Sequence, residues 1–159
     1  MYDEAIRGWR VWRLGIFEPA TAVTSEVFLR SCVHDAYWPP REPLASRCVD
    51  HLRPDLACGC GIYAVATRDA ALEWAGSASR SLSMPVVVGQ VHLWGRTLKF
   101  TAGYRAEFAY PYSLEVLDEG LTDELDPKTV VQQLREAYLV DVTRVRPRFE
   151  RPSTDVAAA

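Results

Sequence analysis

The sequence predicts one α+β domain, a small curved or barrel-like antiparallel sheet with two helices and a zinc-stapled loop. Three observations carry that expectation. The chain of 159 residues is long enough for one hydrophobic core and short for two, with 48% apolar and 25% charged residues, an ordinary globular balance. Alternating apolar patterns dominate it, and helical periodicity shows only twice. Cys48, His51, Cys58 and Cys60 fall within a stretch of 13 residues.

Taken in order, Ile6 to Phe17 alternates with apolar groups on both parities, the pattern of a strand buried on both faces. Val27 to Val33 reads as a second strand. Pro39, Pro40 and Pro43 forbid a regular ladder between Trp38 and Pro43, so a loop is expected there, with the cysteine cluster directly after it. Gly61 to Ala66 reads as a strand. Asp69 is the expected N-cap of a helix near residues 69 to 76, carrying Leu72, Trp74 and Ala75, and Ser77 to Ser83 reads as a polar connection.

From Met84 the run PVVVGQVHLWGRTLKF signals strand pairing, Thr101 to Tyr104 a glycine turn, and YRAEFAY a further strand that Pro111 is expected to end. Leu114 and Val116 suggest one more short strand. Asp126 followed by Pro127 is a cap with proline at the first helical position, so a helix near 127 to 139 is expected, burying Val130, Val131, Leu134 and Tyr138. Residues 1–142 are thus read as one globular zinc-containing domain. Residues 143–159 are read as a basic, partly disordered tail, with Arg144, Arg146, Arg148 and Arg151.

The cysteine and histidine cluster carries the clearest chemistry. Thiolate and imidazole suit a borderline d10 cation, and four such ligands match a tetrahedral zinc ion. Gly59 and Gly61 let the chain fold tightly enough for Cys58 and Cys60 to face one point. One residue separates those cysteines where the common knuckle has two, so the match is to ligand chemistry. Four protein ligands leave no open position, which makes the zinc structural. Cys32 and His34 are further potential ligands, but a lone cysteine in a strand more often behaves as a small buried hydrophobe.

Several strings resemble a family of small actinobacterial zinc-cluster proteins: Gly8 to Leu14 (GWRVWRL), Trp38-Pro39, and His51-x-x-Pro54-x3-Cys58-x-Cys60-Gly61-x-Tyr63-Ala64. Gly89-x-Val91-x-Leu93-Trp94-Gly95 and Gly103-x-Arg105-Ala106-x3-Tyr110-Pro111 continue the likeness, which spans about residues 8 to 116. It implies the same zinc cluster and a β-rich core, and no particular activity. The Gly-x-Val-x-Leu-Trp-Gly segment also resembles the central strands of PUA-like barrels, a group that includes readers of RNA and of modified DNA bases.

Function is read from the aromatics interleaved with arginine. Trp38, Tyr63, Trp94, Arg96, Arg105 and Tyr110 are the candidate nucleic-acid-binding residues, because reading a base needs flat rings for stacking and a few directed hydrogen bonds. The competing reading is that such large rings fill the core. Arg7, Arg10, Arg13 and the tail arginines are candidate phosphate contacts. A formal net charge of −3 argues against a basic sheath, but an acidic run from Asp118 to Asp126 supplies much of it.

The expectation is a non-enzymatic nucleic-acid-binding module, DNA being the expected partner and a modified base among its targets. The alternative is a protein–protein interaction adaptor with a structural zinc. The sequence has no phosphate-binding glycine loop, nucleophile elbow or His-Glu-x-x-His motif, and His92 is the one histidine considered as a base. Without a signal-like apolar segment or a run of about 20 apolar residues, a cytoplasmic protein with no membrane partner is expected.

Overall fold

The computed structural model describes residues 5–18, 20, 26–82, 85–118, 121 and 125–145. Two helices pack on an eight-stranded mixed sheet. Four of its strands close a partial ring. β1 (Ile6–Phe17) pairs with β6 (Val86–Lys99), β6 with β7 (Gly103–Leu117), β7 with β5 (Ile62–Val65), and β5 returns to β1 through Trp9 opposite Val65. β2 (Glu26–Ser31) and β3 (Tyr37–Trp38) extend the sheet beyond β1, and β4 (Leu44–Ala45) lies on β7.

The double-sided pattern of β1 reflects two cores. Trp12 and Leu14 pack with Leu29, Trp38, Leu93 and Leu114 under α2 (Pro127–Tyr138), which contributes Val130, Leu134 and Tyr138. Val131 is only partly buried beside them. Val11 faces the other way, against Val86 and Val88 and the alanines of α1 (Arg68–Leu82). The expected cap of α2 is present: Asp126 accepts a hydrogen bond from the Thr129 backbone N–H, and Pro127 occupies the first turn.

Four expectations are corrected. The first helix continues to Leu82, through the segment read as a connection, because its buried stripe is made of Ala71, Ala75 and Ala78, too small to raise a helical signal. Its N-terminus is capped by Thr67, whose hydroxyl accepts from the Ala70 N–H at 3.2 Å, while Asp69 lies inside the first turn. Val86 to Lys99 forms one long strand whose partner is β7, reached through the expected turn at Phe100–Gly103. Pro111 does not end that partner. It sits beside a bulge at Tyr112, and β4 stops at Ala109 while β8 (Asp141–Val145) begins opposite Ser113, so the missing N–H breaks no ladder bond there.

β8 also makes the sheet mixed. It runs parallel to β7, with α2 as the crossover such a pair requires, and carries the sheet three residues past the boundary expected at 142. The tail arginines Arg146, Arg148 and Arg151 and most of the acidic run lie outside the described residues. Among the described residues, no helix is long and apolar enough to cross a membrane.

Candidate metal centre

β4 and β5 are far apart in sequence but pair with one strand: Ala45 lies opposite Phe108 of β7, and Ile62 opposite Ala106. The chain between them, residues 46–61, is therefore a loop whose two ends are pinned side by side. That pinning brings Cys48, near the start, onto Cys58 and Cys60, near the end. Inside the loop, Asp55 turns the chain by accepting from the Ala57 and Cys58 N–H groups, and buried Pro54 anchors it. Gly61 has φ +117°, and a Cβ there would sit 3.0 Å from Arg105 Cβ, so only glycine fits the exit of the loop.

The ligand atoms of Cys48, His51, Cys58 and Cys60 all lie within 4.8 Å of one another. Cys48 Sγ is 3.4 Å from His51 Nδ1 and 3.9 Å from Cys58 Sγ, and Cys60 Sγ is 3.8 Å from His51 Nδ1. Ligands about 2.3 Å from a tetrahedral zinc stand about 3.8 Å apart, close to these three separations. The protein thus carries a Cys3His cluster that could hold a metal ion such as zinc. The Asp50 backbone N–H and the His51 ring hold the Cys48 thiol down to about 7, while that same side-chain hydrogen bond raises His51. A metal would complete this proton loss, since its ligands are thiolate and neutral imidazole.

Arg105, one of the candidate nucleic-acid-binding residues, lies under this loop. Buried at 6% exposure, it donates from Nη1 to the carbonyls of Asp55, Cys58 and Cys60, the last at 2.9 Å and the first at 3.3 Å. Its guanidinium also lies over Phe100, 5.0 Å from the ring centroid. Tyr63 adds a hydrogen bond from its hydroxyl to Gly59 O at 2.6 Å. Cys32 does not join the cluster: its thiol donates to Val11 O and packs under α1.

Compared with known proteins, the chain matches no family model, no curated protein and no solved structure.

The structure does not gather the six aromatic and arginine candidates into one place. Trp38 is buried, edge-on to Trp12 at 5.4 Å between centroids, with its indole N–H on Ser31 Oγ. Trp94 is half-buried and stacks on Phe108, and Arg96 is exposed at the adjoining bulge with its N–H on Glu107. Tyr110 donates to Tyr138 O and accepts from the Arg41 N–H, linking β7 to the end of α2. His92 accepts from Arg7 Nε at 3.3 Å and lies against Tyr112. Arg13 and Arg30 share Asp35, and Arg144 pairs with Asp118.

Tyr63 lines an open cleft. The cleft, of about 1320 Å³, runs between the β2–β4 connection, the exit of the metal loop, β5 and α1, with Gly59, Cys60 and Gly61 in its wall. Tyr37 and Trp74, which no local motif singles out, also line it; their approach depends on the pairing of β2 with β3 and on the packing of α1. Arg10 lies in the same cleft.

Proposed function

We propose that the protein is a cytoplasmic, non-enzymatic nucleic-acid-binding module in which a structural zinc holds one wall of a cleft that receives an unstacked base. The observation that supports this reading is the cleft itself. Its volume of about 1320 Å³ exceeds that of a nucleotide, aromatic rings stand around it, and Cys60 belongs to both its wall and the metal cluster. Exposed rings offer stacking faces to any base, and DNA carrying a modified base is the target class proposed. The ring of β1, β6, β7 and β5 is in keeping with the likeness to PUA-like barrels, and the Cys3His cluster with the likeness to the small actinobacterial zinc proteins.

A mobility-shift assay on the zinc-loaded protein, with methylated and unmodified duplexes of one sequence at low salt, tests the reading. A shift that is stronger with the methylated duplex is expected. Equal absence of binding to both sinks it.

A second reading, a protein-interaction adaptor, is favoured by Val49, Leu52 and Leu56, three exposed apolar side chains on the metal loop. It requires a stoichiometric partner in a pull-down that Leu52→Ser abolishes.

A further inference from the structure

Arg105 of β7 donates to the carbonyls of Asp55, Cys58 and Cys60, whereas Arg13 and Arg30 meet Asp35 and Arg68 of α1 holds Glu115 at 3.0 Å, so each of those three half-buried charges has a carboxylate. Among the described residues Arg10 has none. Its Nη1 donates to Tyr63 O, its Nη2 to Ser31 Oγ at 3.0 Å, and the guanidinium lies over the Trp38 ring, 5.0 Å from the centroid. Its Nε is buried without a partner. These contacts fix the side chain from below and leave its positive charge unbalanced, a costly arrangement unless an anion arrives from outside. Burial draws its pKa down to about 10, so it is still charged at neutral pH, and the buried thiol of Cys32 beside it is held protonated by a raised pKa.

Arg10 lines the cleft, whose wall also carries the exposed carboxylate of Glu42. Arg47, exposed and without an ion pair among the described residues, lines the same cleft, as do the half-exposed rings of Tyr37, Tyr63 and Trp74. An oxyanion on a planar guanidinium together with a flat ring between aromatic faces is the chemistry of a nucleotide.

We propose that the cleft is a nucleotide site, in which Arg10 and Arg47 take the phosphate and Tyr37, Tyr63 or Trp74 stacks on the base. This rests on the nucleic-acid reading of the same cleft and names the group that reading leaves open. The phosphate comes either from a strand with its base extruded or from a free mononucleotide.

The test titrates zinc-loaded protein with a fluorescent 12-nucleotide single strand, and in parallel with GMP, TMP and inorganic phosphate as competitors, from about 20 to 200 mM salt. Arg10→Gln removes the charge and leaves a shorter, neutral side chain with one amide donor. It is expected to weaken strand binding about tenfold or more and to lower the salt slope by about one. Tyr37→Ala, at an exposed position, is expected to weaken binding at least fivefold with the slope unchanged. Displacement of the strand by a mononucleotide assigns the site to free nucleotides, and its persistence assigns the site to a strand. A folded, zinc-loaded Arg10→Gln with wild-type affinity and slope overturns the inference while the nucleic-acid reading stands. Absence of strand binding by the wild type overturns the nucleic-acid reading, and absence of GMP and TMP binding as well, measured directly by calorimetry, overturns the nucleotide site. If Arg10→Gln loses its zinc, Arg47→Gln and Tyr37→Ala decide, and wild-type behaviour in both overturns the nucleotide site.

Discussion

Replacing Arg105 by methionine removes the guanidinium, together with its contact to the Phe100 ring, and keeps an unbranched side chain. One Nη1 nitrogen, with two hydrogens, serves the carbonyls of Asp55, Cys58 and Cys60. Three acceptors sharing two hydrogens amount to roughly two charge-assisted bonds, each worth about 1.5–3 kcal/mol, so the loss is about 3–6 kcal/mol. Those carbonyls belong to the segment that presents Cys58 and Cys60. Supports of this kind around a metal set its affinity by about 10–100-fold, or about 1.4–2.7 kcal/mol of that total. Competition with a chromogenic chelator measures the affinity, and urea unfolding with and without zinc measures the rest. Arg105→Met with zinc affinity within about twofold of wild type and an unchanged urea midpoint would refute the clamp. If the variant kept its zinc and lost only nucleic-acid binding, Arg105 would belong to the ligand surface instead.

The metal assignment itself predicts about one zinc per chain by elemental analysis, lost in Cys58→Ser and Cys60→Ser and kept in Cys32→Ser; a zinc-free Cys32→Ser would redraw the ligand set. Trp38→Ala removes a fully buried ring from its edge contact with Trp12 and should cost about 3–5 kcal/mol in urea unfolding, far more than an exposed base-stacking residue would. Hydrogen bonds from the Thr129 hydroxyl and backbone hold the Asp126 carboxyl below its ordinary 3.8. The cap therefore contributes fully above that value and is lost as pH falls through the depressed one. Asp126→Asn keeps an accepting oxygen that does not titrate, so its melting temperature should fall less between pH 5 and 3; curves of equal slope would contradict the cap's role.

Much of the fold was legible because it is encoded locally. The two parities of Ile6 to Phe17 announced a strand with apolar groups on both faces, and Asp126-Pro127 marked a helix start that the structure keeps to the residue. Elements whose signal is weak in their own residues were not legible. The alanine stripe of α1 and the parallel strand β8 acquire their meaning only from the sheet they pack on, and Pro111 is tolerated because two neighbouring strands leave a gap beside it.

The site divides in the same way. Ligand chemistry is a property of side chains, and four soft ligands within 13 residues identified Cys48, His51, Cys58 and Cys60 before any geometry. The aromatic residues have no such mark, since a tryptophan reads alike whether it fills a core or faces a ligand. Tertiary structure placed Trp38 inside, drew Arg105 under the cysteine and histidine loop, and set Tyr37, Tyr63 and Trp74 in one cleft with Arg10. The sequence by itself determined which groups could bind a metal, because coordination depends on atom type and close spacing. Which rings and which arginine face the cleft was decided by strand pairing between residues far apart in the chain.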